Sequence, residues 1–139
     1  MNNIFKISNF LIRLSLVMLL TNTMSYAQNI SEVMLNDMDI PLMEGLVEDD
    51  NERVVFDSPD GSIISAQASG KVMAIKAYDY YRVVLPSLSW KVTEDKKSKM
   101  KCEDGALYCI KAHRGKENLI LLFKADNQTS VVNYSISPF

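Results

Sequence analysis

The sequence predicts an α+β domain in which one main helix packs on a twisted antiparallel sheet, in the order β-β-α-β-β-β-β-β. Three observations predict it. Only one segment, Lys71 to about Val84, sustains apolar residues at three- and four-residue spacing. The segments on either side are strand-length runs punctuated by turn signals such as Asp57-Ser-Pro-Asp-Gly61 and Arg114-Gly-Lys116. The composition, 47% hydrophobic and 23% charged in 139 residues, is that of one ordinary globular domain, which excludes wholesale disorder and collagen-like or low-complexity structure.

The N-terminus precedes this domain. Residues 1–13 carry Lys6 and Arg13 and no acid, and Leu14-Ser-Leu-Val-Met-Leu-Leu20 is a compact apolar stretch. Ser25-Tyr26-Ala27 then sets small residues at the −3 and −1 positions of a cleavage site before Gln28. Basic, apolar and small-residue regions in this order make a secretory signal peptide over residues 1–27. A membrane anchor would need about 20 unbroken apolar residues, and Arg13 and Asn22 bracket too short a run. No Cys lies near the cleavage site, which argues against lipoprotein anchoring. Cleavage removes two cations and no acid, so the mature chain is more acidic than the −2 of the whole, and no stable membrane insertion is expected afterwards.

Residues 28–52 read as an N-terminal extension and acidic linker, and residues 53–139 as the single α+β domain. In the extension, Ile30, Val33, Met34 and Leu35 allow one helical turn, but Pro41 and Gly45 interrupt any longer pattern. Glu44, Glu48, Asp49, Asp50 and Glu52 lack the alternation and Gly-centred loop of a calcium site, and read as a solvated patch.

Val54 to Phe56 and Ser62 to Ala68 are the first two strands, joined through Pro59 and Gly61 as a hairpin. Gly70 ends the second. In the helix that follows, Ala74, Ala77, Tyr78, Tyr81, Leu85 and Leu88 form one stripe, while Lys76, Asp79 and Arg82 face water. Pro86 is expected to end it, because its ring disfavours a helical residue before it. The period then becomes two. Trp90 to Thr93, Met100 to Glu103, Leu107 to His113, Asn118 to Ala125 and Val131 to Ile136 are five strands, with turns at 95–98, 104–105 and 114–116. Leu119 to Phe123 is apolar at consecutive positions, which predicts a strand covered on both faces. The second cover is expected from within the chain, from residues 28–52, with a partner chain as the alternative. Once the leader is removed, folding should bury roughly 60% or more of the unfolded surface, enough for independent stability.

Few residues point to chemistry. The net charge argues against a dedicated nucleic-acid binder, and one His with two Cys excludes an ordinary zinc site. No cofactor motif is present, so none is expected. Cys102 and Cys109 flank the Asp104-Gly105 turn; a hairpin there sets them opposite each other, and an even Cys count in an exported chain predicts a disulfide. The spacing is not that of a Cys-x-x-Cys redox pair. His113 sits at a strand end without a nucleophile elbow, so no catalytic residue is expected and the protein reads as a non-enzyme. Tyr78 and Tyr81 share the helix stripe, whereas Tyr80 is rotated away and is a candidate for an interaction surface. Lys96, Lys97, Lys99 and Lys101 form a basic run that solvates an edge; Lys96, Lys97 and Lys99 join Tyr80 as candidate contacts for an anionic or protein partner.

Two stretches carry a resemblance. Ile40-Pro-Leu-Met-Glu-Gly-Leu46 leading to Val55-Phe-Asp-Ser-Pro59 and Gly61, and Tyr80-Tyr81 followed by Leu85-Pro-Ser-Leu-Ser-Trp90, resemble a family of small exported alphaproteobacterial proteins of unassigned function. Relatives in that family have Gly where this chain has Ser89. The resemblance spans about residues 40–90 and implies export and a single domain; it supplies no catalytic or ligand residue, and the disulfide is not carried over from it. The functional expectation is a periplasmic or secreted binding domain engaging an envelope protein. The alternative is a small-molecule or lipid-binding module with a groove between helix and sheet.

Overall fold

The computed structural model describes residues 33–97, 102–126 and 128–139. The leader 1–27, the first residues of the extension, Lys99 and the start of the strand expected from Met100 lie outside the described residues. In chain order the strands are β1 (Met34–Leu35), β2 (Ile40–Pro41), β3 (Val47–Glu48), β4 (Val54–Ser58) and β5 (Gly61–Gly70), followed by the helix α1 (Ala74–Ser87) and then β6 (Lys91–Lys96), β7 (Tyr108–Arg114), β8 (Glu117–Asp126) and β9 (Thr129–Pro138). β1 and β2 pair with each other; the main sheet runs β3-β5-β9-β8-β7-β6, with β4 also paired to β5. Every pairing is antiparallel. The protein is therefore an α+β domain with one helix on an antiparallel sheet, as its periodicity predicts.

The β4–β5 hairpin places Ser58 opposite Gly61, leaving Pro59 and Asp60 as its loop, and the Ser58 hydroxyl donates to the Gly61 carbonyl at 2.6 Å. The chain then crosses the sheet as α1, packing on β6, β7, β8 and β9, and returns from β6 as a meander until β9 pairs with β5. The β7–β8 turn, Gly115-Lys116, has Gly115 at φ 59, the backbone of a II′ hairpin turn. Alternation then decides the faces. Ile64, Ala66 and Ala68 of β5, Val132, Tyr134 and Ile136 of β9, Leu119, Leu121 and Phe123 of β8, and Ile110 and Ala112 of β7 all enter the main core with the α1 stripe Ala74, Ala77, Tyr78, Tyr81 and Leu85.

Three expectations are corrected. Pro86 does not end the helix, which runs on to Ser87. A proline in the last turn forfeits one backbone bond, and termination falls instead to Ser89, at φ 66. The Ser89 N–H donates to the Pro86 carbonyl at 3.2 Å and the Trp90 N–H to the Leu85 carbonyl at 3.1 Å. This is the Schellman arrangement, in which the left-handed position usually holds glycine.

Second, four strands rather than five follow the helix among the described residues. Lys96 pairs with Cys109, so β6 already occupies the place opposite β7 that Met100 to Glu103 was expected to fill. Glu103–Gly105 is a 3-10 turn instead, with Asp104 at φ 51.

Third, the segment 33–48 is core rather than linker. Leu35, Met38, Ile40 and Leu46 are buried in the same cluster as the α1 stripe. Pro41 and Gly45 do prevent a helix there, but they permit close packing: the Gly45 carbonyl oxygen lies 1.9 Å from where a side chain on Gly70 would begin. A hydroxyl knot fastens the segment. Tyr81 Oη donates to the Pro41 carbonyl at 3.1 Å, accepts from the Met43 N–H at 3.2 Å and meets Tyr134 Oη at 2.9 Å. Burial, with the Tyr134 bond opposing it, pushes the Tyr81 phenol up to about 12, and burial also raises Tyr134 well above its ordinary value.

The acidic residues beyond it form a turn inside an edge strand. Asp49 donates its N–H to the Gln67 carbonyl at 2.8 Å, and its carboxylate accepts from the Asn51 N–H at 3.0 Å. β3 and β4 are thus two halves of one edge, both paired to β5. Because residues 33–48 share the helix face, the cover of the opposite face is also not the expected one. Over β8 it is the 102–107 loop, whose Ala106 packs with Cys109 and Leu122 in a separate small cluster. Among the described residues no helix is long and apolar enough to cross a membrane.

Candidate functional site

Of the residues singled out in the sequence, Cys102 and Cys109 are joined as a disulfide, with Cα atoms 5.7 Å apart. The bond arises differently from the symmetrical hairpin expected: Cys109 is in β7, whereas Cys102 precedes the 3-10 turn and folds back onto it. A loop this short contributes about 2–2.5 kcal/mol on the chain-entropy account. Its structural effect is to pin Ala106 over Leu122.

The basic run is neutralised from within. Lys96 is paired with Glu94, and Lys97 lies 3.5 Å from Asp79 and 5.0 Å from the centre of the Tyr78 ring. Lys111 lies 2.9 Å from Glu103 and 3.7 Å from Glu94, and Arg82 is 2.8 Å from Asp95. The Lys96 bond, reinforced by Lys111, holds the Glu94 carboxyl below its usual range; the Glu103 bond raises Lys111. Lys96 and Lys97 therefore do not form a free cationic surface. Tyr80 is half-buried, set edge-on against Tyr81 with ring centres 4.9 Å apart, and belongs with the core more than with a contact surface. Lys99 lies outside the described residues.

His113 lines an open depression of about 620 Å³ with Thr93, Gly115, Lys116, Asn118 and Phe139. The Thr93 hydroxyl donates to the Lys111 carbonyl at 3.2 Å. No Ser, Asp or Glu side chain lines this depression among the described residues, so no Ser-His-Asp arrangement is built around His113 there. A second groove of about 310 Å³ runs between the start of α1 and the starts of β7 and β9, lined in part by Val72, Ile75, Tyr108 and Thr129. It is also open, and the Ser130 hydroxyl at its floor is bonded to the Val72 carbonyl. Among the described residues, no group of three His, Cys, Asp or Glu side chains could hold a metal ion.

A feature the sequence reading missed lies at the β4 edge. Val54 is 59% exposed, Phe56 61% and Ile63 39%, and Val55 is exposed as well. In register, Phe56 stands opposite Ile63 and Val54 opposite Ser65, on the face away from α1. Cross-strand neighbours on one face touch, so Val54, Phe56 and Ile63 make a continuous apolar strip. β4 has no strand on its outer side, and no backbone hydrogen bond joins Val54–Ser58 to anything but β5 among the described residues. The strip was detectable: Val54-Val55-Phe56 is apolar on both faces, and a hairpin at the end of a sheet has cover for only one. Comparison with protein-family models, curated proteins and solved structures finds no match to this chain.

Proposed function

We propose that this chain is an exported, non-enzymatic binding module of the cell envelope, which engages a protein partner through the β4–β5 edge. The observation that carries the reading is the exposed strip Val54, Phe56 and Ile63 on a strand with no outer neighbour among the described residues. Such an edge offers main-chain donors and acceptors for affinity and alternate side chains for selectivity, which is how β-augmentation works. Export is supported by the basic, apolar and small-residue order of residues 1–27, and the disulfide suits an oxidising compartment such as the periplasm. No bond chemistry is assigned to any residue.

The test is site-specific photocrosslinking in the native envelope. A photoreactive phenylalanine at position 56 yields discrete protein adducts, whereas the same group at Val83, exposed on α1, does not. Absence of adducts at position 56, or a lipid or metabolite retained by the purified protein, overturns the reading; the second result favours the groove beside α1 instead. The compartment is checked separately. N-terminal sequencing should begin at Gln28, and a chain starting at Met1 in the cytoplasm with both thiols titratable refutes export.

A further inference from the structure

We infer that the occupant of the β4 edge is a second copy of this chain, paired antiparallel about a two-fold axis at Val55; the inference rests on the binding-module reading. The argument is self-complementarity. In the register centred on Val55, Val54 meets Phe56 of the other copy and Arg53 meets its Asp57, and each contact occurs twice. Arg53 to Asp57 reads basic, apolar, apolar, apolar, acidic, so an antiparallel self-pair brings opposite charges together at both ends. A parallel pairing in register would bring like charges together.

The faces agree with this. Arg53, Val55 and Asp57 alternate with Val54 and Phe56, so the charge pairs fall on the helix side and the apolar pairs on the opposite face. There the row Ile63–Phe56 continues onto Val54 of the second copy, and its two-fold equivalent lies alongside, giving one patch of six apolar side chains. The strand itself is unguarded: β4 contains no Lys, Pro or bulge within Val54–Asp57, the devices that ordinarily prevent edges from joining. Arg53 also holds Asp37, and Asp57 accepts from the Ser62 hydroxyl at 2.6 Å. A guanidinium has five donors and a carboxylate two oxygens, so both retain capacity for the second copy. The ladder is only five residues long, so the association is weak and depends on concentration.

The experiment is sedimentation of the mature chain from low to high micromolar concentration, together with a register test by cysteine. A dimer forms in that range, and Asp57→Lys, which sets a lysine opposite Arg53 at both ends, weakens it by about tenfold or more. Under mild oxidation Val55→Cys cross-links two copies far faster than Val83→Cys, because only residue 55 meets itself at the axis. Unchanged melting curves show that the variants fold; if Asp57→Lys does not fold, the Val55→Cys cross-link decides alone. A monomer throughout, or equal cross-linking at positions 55 and 83, overturns self-pairing. If a different protein is then captured at position 56, the binding-module reading survives; if nothing is captured there, that reading falls with it.

Discussion

The two edges of the one sheet are built in opposite ways. At β6, Lys91, Glu94 and Lys96 line the strand, a bulge falls between Val92 and Glu94, and Lys111 and Arg82 add ion pairs to Glu94 and Asp95. The disulfide loop is fastened beside it. At β4 the outer strand is Val-Val-Phe, regular and uncharged until Asp57. Charge, bulges and short irregular strands are what keep sheets from joining edge to edge. The chain has these devices and concentrates them on one side, so the open β4 edge is a property of that edge rather than of the composition as a whole.

The inner fastenings differ as well, and substitutions separate them. The largest effect is expected at the β4 side. Gly70→Ala drives a methyl group into the Gly45 carbonyl, where neither backbone can yield, and should cost about 3 kcal/mol or more in chemical denaturation. A cost within experimental error would show that residues 33–48 are the linker first expected.

Alkali tests the same side. Tyr81 ionises near 12 in the folded chain and near 10 when unfolded. A raised pKa gives stability that is complete below the unfolded value and is lost as pH climbs through the folded one. Stability should therefore fall by about 2–3 kcal/mol between pH 10 and 12. Tyr81→Phe, measured by alkaline unfolding, should flatten that decline while costing about 1–3 kcal/mol at neutral pH through the unpaired Pro41 and Met43 groups.

At the guarded side, replacing both Cys102 and Cys109 by Ser should cost about 2–2.5 kcal/mol. Hydrogen exchange should quicken first around Leu122 and β7, leaving β4 and β5 unaffected. Ser89→Gly lies between the two sides, at the turn from helix to β6. Glycine accepts φ 66 without strain, so the melting temperature should rise by the equivalent of about 1 kcal/mol. The smallest effect is acidic. The lowered Glu94 pKa means that its pairing with Lys96 and Lys111 is present above the ordinary carboxylate value and lost as pH falls through the folded one. Amide exchange along β6 should accelerate in that window while exchange along β4 does not.

Much of the fold was legible because its signals are local. The stripe from Ala74 to Leu85 has a 3.6-residue period, β9 alternates at period two, and Pro59 with Gly61 marks the hairpin. The candidate site was less legible. Tyr80 and the Lys96–Lys97 run looked available in sequence, but Tyr81 and Glu94, one and two residues away, engage Tyr80 and Lys96, and the packing of α1 beside β6 brings Asp79 to Lys97. Val54, Val55 and Phe56 read correctly as a strand, but their apolar character by itself gave no sign that they would lie exposed at an edge.

The sequence by itself determined the class of fold, the stripe the helix buries, the first hairpin and the pairing of the two cysteines, since each depends on residues a few positions apart. Tertiary structure decided that Leu35, Met38, Ile40 and Leu46 enter the core, that Ser89 closes the helix, and that β4 ends the sheet with its apolar side chains in water. Those outcomes depend on which surfaces remain uncovered after distant segments pack. Burial is a competition for area across the whole chain, and no local period records who wins it.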